Sequence, residues 1–172
     1  SVEYDSVTDR YPRFLIEEIL PEVYAKYNVR RDGYSHAIQG QSSGGICAFN
    51  AAWHRPDQFS RVATQHGTFT AVAFRNGEPE AGHVFPTWVR RNPKKNVRVW
   101  VGDGSEDYEN EWGSWPLQNI QLANSLKLQG YDFRFVFGNG SHHAAIWAAK
   151  LPEALTWLWR GYDPAKAEEV FE

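Results

Sequence analysis

Several residue types are scarce in this sequence, and each scarcity excludes a class of protein. Methionine is absent and cysteine occurs once, at Cys47, so an internal disulfide framework and a cysteine-based zinc site are excluded. The formal net charge is only -3, so we expect neither nucleic acid nor a membrane surface as a partner. No apolar run approaches the roughly 20 residues that a membrane-spanning helix needs.

The missing methionine also bears on the origin of the chain. Without it the chain does not begin at a translation start, and we expect a processed form or a part of a longer protein. A targeting signal would lie upstream of Ser1, so these residues do not predict a compartment. The remaining composition, 42% hydrophobic and 23% charged over 172 residues, is typical of one globular domain with a sizeable core.

Predicted strands alternate with predicted helices along most of the chain. Strands are predicted over residues 36–40, 61–65, 97–102 and 133–138, and helices over residues 9–27, 45–53, 114–130 and 152–161. Residues 67–83 show no clean period and are predicted to form a long loop. The alternation is typical of an α/β protein whose parallel sheet is flanked by helices. In such sheets, functional groups gather beyond the carboxyl ends of the strands.

The stretch GQSSGG, residues 40–45, places a serine inside a glycine cluster between a predicted strand and a predicted helix. A flexible turn, a phosphate-binding loop and a chance cluster are alternatives to a nucleophile elbow. A phosphate-binding loop is excluded because no lysine follows the glycines. An elbow turns sharply, so small residues such as Gly40, Gly44 and Gly45 must flank the nucleophile. We interpret Ser42 as that nucleophile, with the Ser43 amide facing a developing oxyanion.

A serine nucleophile needs a base and an orienting carboxylate, and both residue types follow later strands. The strand at 97–102 is followed by acidic residues, namely Asp103, Glu106, Asp107 and Glu109. The strand at 133–138 is followed by His142 and His143. A solvated acidic loop and a helix cap are the ordinary interpretations of these segments, and the pattern alone does not choose among the candidates. The order serine, acid, histidine is the order that the α/β-hydrolase fold imposes.

Three stretches of the chain resemble a known family. They are GQSSGGICAFNAAWHRPDQFSRV, VGDGSEDYENEWGSWPLQN with LKLQGYDFRFVFG, and HHAAIWAAKLPEALTWLW. Together they resemble the putative-esterase branch of the α/β-hydrolases, which includes enterochelin esterases and feruloyl and acetyl esterases. The resemblance implies one partial α/β-hydrolase domain over residues 1–161, the C-terminal part of the fold with its N-terminal strands missing. The short charged segment 162–172 is interpreted from its composition as a C-terminal appendage, with one or two helical turns expected from Asp163.

The resemblance also selects the catalytic residues. It places the nucleophile on Ser42, the acid on Asp107 rather than its acidic neighbours, and the base on His142 rather than His143. Family members usually have Gly-Gly-His at the histidine turn, where this chain has Gly-Ser-His. They also carry several strands upstream of the first residue here, and one missing loop there would supply the second oxyanion-hole amide.

The function expected from these residues is hydrolysis of a carboxylic ester through a Ser-His-Asp triad and an acyl-enzyme. Aromatic faces near the site suit sugar rings or phenolic acyl groups, so the expected substrate is a small-molecule or polysaccharide-linked ester of the feruloyl or acetyl type. The candidate rim residues are Trp88, Trp112, Trp115 and Trp147, although core packing explains at least half of the eight tryptophans. Adjacent histidines point apart and no third ligand is suitably spaced, so no metal and no cofactor is expected.

The alternative is a hydrolase-derived module that does not catalyse in this form. A half sheet exposes an edge strand and apolar faces, which a homo-oligomer or a complementing N-terminal segment would cover. A secreted or periplasmic location is an expectation that the resemblance alone carries.

Overall fold

A four-stranded parallel sheet lies at the centre of the computed structural model, which describes residues 2–172. The strands are β1 (Ala37–Gln41), β2 (Arg61–Gln65), β3 (Arg98–Glu106), β4 (Glu109–Asn110), β5 (Gly113–Ser114) and β6 (Phe133–Ser141). The order in the sheet is β1-β2-β3-β6, while β4 and β5 form a small antiparallel hairpin. Because the four strands of the sheet run the same way, the turns that leave their carboxyl ends lie along one edge.

The strands β3 and β6 lie close together near their carboxyl ends. They pair from Val99 opposite Phe133 onward, and their register shifts between Gly104 and Glu106. A Cβ atom on Gly104 would lie 2.2 Å from the carbonyl oxygen of Gly140, so no larger residue fits without a shift of the backbone. This close approach brings the segment after β3 against the turn after β6.

Seven α-helices surround the sheet in residues 2–172. They are α1 (Val2–Asp5), α2 (Arg10–Phe14), α3 (Leu20–Lys26), α4 (Ser43–His54), α5 (Phe85–Arg91), α6 (Trp115–Leu128) and α7 (Ala144–Leu158). A π-helical turn over Leu15–Ile19 joins α2 to α3, and Pro21 lies in the first turn of α3, where its missing amide is tolerated. None of the helices in this described part is both long and apolar enough to cross a membrane.

The side chains of β3 separate the two cores of the protein. Val99 and Val101 pack on one face with residues of α4, α5 and α6, and Trp100 packs on the other face with Ala154 and Leu158 of α7. Successive residues of a strand point to opposite faces, so one strand serves both cores. The strand is buried on both sides, as parallel sheets require. β1 is only half-buried and lies at the edge of the sheet.

Several predicted boundaries are wrong. Helix α5 lies where no helix is predicted, because its seven residues are too few to show a helical period. Helix α7 begins at Ala144 rather than at Pro152, because the alanine-rich first turns favour helix and His143 Nδ1 accepts the Ala145 amide at 3.2 Å. Pro152 lies inside this helix. The loop predicted over 67–83 contains two short 3-10 turns.

The residues after α7 pack back onto the protein. The predicted helical turns from Asp163 are wrong, because this segment forms only an isolated turn. Phe171 is 1% exposed and its ring lies against two guanidinium groups, 5.1 Å from the Arg61 group and 4.4 Å from the Arg98 group. The division of the chain at residue 161 stays a prediction.

Candidate active site

Ser42 lies at the junction of β1 and α4 in a backbone conformation that L residues rarely adopt, with φ 54° and ψ -125°. The turn folds the helix tightly onto the strand. A Cβ atom on Gly40 would lie 2.0 Å from the carbonyl oxygen of Gly44, and one on Gly45 would lie 2.8 Å from Oγ1 of Thr64. Crowding therefore requires glycine at residues 40 and 45. The prediction for Gly44 is wrong, because a Cβ atom there meets nothing within 4 Å.

A continuous chain of hydrogen bonds joins Ser42 to Asp107 through His142. The Nε2 atom of His142 lies 2.8 Å from Ser42 Oγ, and its Nδ1 atom lies 2.5 Å from Asp107 Oδ1. In the tautomer that satisfies both contacts, Nδ1–H donates to the carboxylate and the serine hydroxyl donates to Nε2. The neighbouring His143 is exposed and caps α7 instead. Three strand ends thus bring these three side chains together.

The carboxylate of Asp107 is buried, with its side chain 1% exposed. Its Oδ1 atom also accepts the Tyr108 amide at 2.6 Å. Burial by itself raises the pKa of Asp107, but hydrogen bonds from His142, Asp103 and the Tyr108 amide outweigh it and lower the pKa below its ordinary value. Asp107 is therefore an anion that can stabilise a positive charge on the imidazole. Of the other acidic candidates, Glu106 and Glu109 are exposed.

Two aromatic rings enclose the imidazole of His142. The Tyr108 ring stacks on one side, 4.2 Å between centroids and 19° between planes, and the His66 ring lies 4.3 Å away. His66 follows β2 and is 2% exposed with φ 38°. Burial, and then the neighbouring His142, lower its pKa to about 4, so the ring is neutral at ordinary pH.

The tightness of this enclosure is not visible in the sequence. The position of His66 directly after a predicted strand is the one sequence signal that could have placed it near the site. Tyr108 follows Asp107 directly, but the turn that aims its ring at His142 has no signature of its own.

Ser43, the predicted oxyanion donor, lies at the N-terminus of α4. Ser43 is the first residue of α4, and the first amides of a helix have no intrahelical acceptor. The Thr68 hydroxyl lies 3.4 Å from Ser42 Oγ and accepts Trp115 Nε1–H at 3.3 Å, which leaves its own proton free to point at the serine. A second backbone donor for the oxyanion stays a prediction.

The four tryptophans predicted at the rim occupy different environments. Trp115 is 4% exposed and turns its edge to His142, with ring centroids 6.1 Å apart. Trp147 is 3% exposed and lies 5.3 Å from the His66 ring. Trp88 packs against Phe85 in the core that also contains Val99 and Val101, and Trp112 lies half-exposed. Only Trp115 touches a residue of the hydrogen-bonded chain directly, and it does so from within the protein.

The structure describes no group of three His, Cys, Asp or Glu side chains in residues 2–172 that could hold a metal ion. The one cysteine, Cys47, is 3% exposed, and burial raises the pKa of its thiol to about 12. A protonated, buried thiol is not a nucleophile.

The four-stranded parallel sheet flanked by helices has an α/β-hydrolase-like fold and matches part of the larger solved structures to which the chain is similar. A family model described as "Putative esterase" matches residues 2–158, so the chain belongs to that family.

Known relatives are similar over most of this chain but are much longer. Iron(III) enterobactin esterase of Dickeya dadantii (strain 3937) is 26% identical over 157 residues, which are 88% of this chain and 35% of that protein. Two solved structures share the fold. A ferulic acid esterase has a TM-score of 0.73 and 22% identity, and the match covers 87% of this chain and 60% of that protein. Enterochelin esterase from Shigella flexneri has a TM-score of 0.74 and 21% identity, and the match covers 92% of this chain and 39% of that protein.

Proposed function

We propose that this chain hydrolyses carboxylic esters with Ser42 as nucleophile, His142 as general base and acid, and Asp107 as the orienting carboxylate. The observation that carries the proposal is the unbroken hydrogen-bonded chain from Ser42 Oγ through both ring nitrogens of His142 to Asp107. Membership of an esterase family supports the same chemistry. Because the chain spans 35% of a curated relative, the activity of the whole protein belongs to this proposal.

The reaction follows from the placement of the three side chains. As Ser42 Oγ attacks the ester carbonyl, His142 Nε2 takes the hydroxyl proton, and Asp107 stabilises the imidazolium through Nδ1–H. The Ser43 amide donates to the oxyanion of the tetrahedral intermediate. The C–O bond to the alcohol then breaks, and His142 returns the proton to the leaving oxygen. Water attacks the acyl-enzyme in the same way, which releases the acid and restores the Ser42 hydroxyl.

For the substrate we propose an ester with an aromatic acyl group or a carbohydrate alcohol. One similar protein is a ferulic acid esterase, and another, an enterobactin esterase from Shigella flexneri, was solved in the presence of 2,3-di-hydroxy-N-benzoyl-serine. The ring of Tyr108, 52% exposed beside His142, offers a flat apolar surface to such a group. Acetyl or alkyl esters lack that contact, and we expect them to be hydrolysed less efficiently than feruloyl esters.

The experiment compares two adjacent serines in the 172-residue chain. Ser42→Ala is expected to abolish hydrolysis of p-nitrophenyl acetate and labelling by a fluorophosphonate, whereas Ser43→Ala keeps the backbone amide and is expected to retain both. Hydrolysis by purified Ser42→Ala at the wild-type rate would refute the proposal. Comparison of kcat/KM for feruloyl and short alkyl esters tests the substrate class separately.

The second candidate is a module that becomes active only when another chain segment completes the sheet. The specific observation is β1, which pairs with β2 alone and is half-buried along its length. Such an edge is a site for addition of a strand. A monodisperse monomer that reacts with a fluorophosphonate would exclude this candidate, and an unreactive oligomer would favour it.

A further inference from the structure

A second aspartate, Asp103, lies beside the triad acid and has no role in the proposed reaction so far. It lies near the end of β3, is 1% exposed, and its carboxyl group contacts that of Asp107. The Oδ2 atoms of both aspartates are buried, and neither has a hydrogen-bond donor in the described structure. Two buried acceptors that face each other without a proton between them would each lose the hydrogen bonds that water provides.

The two carboxyl groups cannot both be ionised in this environment, because like charges in contact within the protein repel strongly. The donors around them decide which one keeps the proton. Asp107 Oδ1 receives His142 Nδ1–H at 2.5 Å and the Tyr108 amide at 2.6 Å. Among the described residues, Asp103 Oδ1 receives the amide of Gly104, at 2.8 Å, and no cationic donor. The ionised form is therefore better stabilised at Asp107.

The third neighbour, Asn119 of α6, does not change this balance. Its Nδ2 atom already donates to the carbonyl oxygens of Gly67, at 2.9 Å, and Trp115, at 3.0 Å, so both N–H groups are used. The hydrogen bond of Asn119 to Asp103 is therefore a shared one, and it lowers the pKa of Asp103 by less than burial and Asp107 raise it. Burial, and then the contact with Asp107, raise the pKa of Asp103 to about 9.

We propose that Asp103 is a neutral positioning residue whose Oδ2–H donates a hydrogen bond to Asp107 Oδ2 and thereby holds the carboxylate in line with His142. This role rests on the proposed function. Hydrogen bonds to an ionised acceptor are the strong ones, so this contact fixes the rotation of the carboxylate while leaving its charge in place. Asp103 acts through Asp107 and does not touch the reacting atoms.

The remaining charged groups near Asp103 lie farther out. It shares a cavity of about 550 Å³ with Glu106 of β3 and Lys150 of α7, both exposed to solvent. Lys150 lies 3.5 Å from Glu153, its own ion-pair partner. His66, which packs on His142, is neutral. None of these groups replaces the proton between the two aspartates.

The test compares two substitutions at this position that differ in one property. Asp103→Asn keeps an acceptor for the Gly104 amide and an N–H for Asp107, so kcat is expected to stay within about threefold of wild type. Asp103→Leu has a similar shape and no donor, and kcat is expected to fall about tenfold or more with little change in KM. Glu106→Gln, which removes a neighbouring acid that is exposed, is the matched control and is expected to change kcat less than twofold, roughly.

A second measurement does not depend on activity. Infrared spectra of the wild-type protein near neutral pH are expected to contain the C=O stretch of a buried neutral carboxylic acid, lost in Asp103→Asn and retained in Ser42→Ala. Absence of this band, or a fall in kcat for Asp103→Asn as large as for Asp103→Leu, would overturn the inference. If the wild-type chain hydrolyses no ester, the proposed function fails, while the infrared band still decides the protonation of Asp103.

Discussion

The ring of Tyr108 stacks face to face on the imidazole of His142, with 4.2 Å between centroids and 19° between planes. The His66 ring also packs on this imidazole, with 4.3 Å between centroids and 53° between planes. Rotation of His142 about its χ angles would move Nε2 away from Ser42 Oγ, and the two rings limit that rotation. Tyr108 is 52% exposed, so it contributes more to the site than to the core.

Removal of the stacked ring is therefore expected to slow catalysis without unfolding the protein. Tyr108→Ala should lower kcat/KM for p-nitrophenyl acetate by about threefold to tenfold, since aromatic pairs of this kind contribute about 0.5–1.5 kcal/mol. Tyr108→Phe keeps the ring and should stay close to wild type. An equal loss in both variants would assign the effect to the phenol hydroxyl and contradict the stacking role.

His66 makes stability depend on pH. Its pKa is about 4 in the folded protein and 6.5 when unperturbed, so between these values the unfolded chain binds more protons. The stability that neutral His66 provides is complete above pH 6.5 and is lost as the pH falls towards 4, by an amount on the order of 3 kcal/mol.

The substitution His66→Asn tests this prediction. Asparagine tolerates the positive φ of 38° at this position, and its side chain does not titrate. Urea unfolding at several pH values should give a free energy of unfolding that falls less steeply for His66→Asn than for wild type between pH 6.5 and 4. Parallel curves would show that another group carries the dependence.

The sequence predicts the site better than it predicts the helices, and the reason is physical. Ser42, Asp107 and His142 follow predicted strands, and the carboxyl ends of parallel strands must meet at one edge whatever the exact strand lengths. The choice of Asp107 over Asp103 came from family resemblance, because both follow β3. The proposed separation into an ion and a neutral acid depends on Gly104, Tyr108 and His142, which only the folded chain brings near.

The helix boundaries depend on how helix-forming and helix-breaking residues offset one another, which the hydrophobic pattern of the sequence does not reveal. Proline is typical of a helix start, and the sequence therefore predicts one at Pro152. Helix α7 nevertheless continues through Pro152, because two alanine-rich helical turns precede this proline. The buried position of Phe171 was also not predicted, since a phenylalanine in a short acidic tail has no period to place it.

Alanine substitutions at two glycines of the elbow are expected to have opposite effects on the stability of the protein. A Cβ atom at Gly40 would overlap the carbonyl oxygen of Gly44, so Gly40→Ala should destabilise the protein by about 3 kcal/mol. Gly44 lies in α4 with open space around it, so Gly44→Ala should raise stability by about 0.5–1 kcal/mol through helix propensity. Urea unfolding measures both, and a stable Gly40→Ala variant would contradict the close approach.

The end of the chain should contribute to stability through one side chain. Phe171 is 1% exposed against Arg61 and Arg98, so Phe171→Ala should lower the free energy of unfolding by about 3 kcal/mol. Its neighbour Val170 is 77% exposed, and Val170→Ala should change stability by less than about 0.5 kcal/mol. Equal effects of the two substitutions would mean that the tail does not pack in solution.

Because the backbone at Ser42 is strained, we expect the alanine variant there to be less stable than the glycine variant, which is the reverse of the usual order. At ordinary positions glycine is less stable than alanine by roughly 0.5–1 kcal/mol, because the unfolded chain gains freedom. At φ 54° alanine keeps a strain of about 1–2 kcal/mol that glycine does not have. Ser42→Gly should therefore unfold at a higher urea concentration than Ser42→Ala, and neither variant is expected to hydrolyse esters.

Ser43 provides the control for this inversion, because it occupies the first turn of α4 with helical backbone angles. There the usual order should hold, with Ser43→Ala more stable than Ser43→Gly. If the pair at residue 42 instead follows the same order as the pair at residue 43, the backbone at Ser42 is not strained in solution. The elbow would then lack the sharp turn that lifts the serine hydroxyl towards His142.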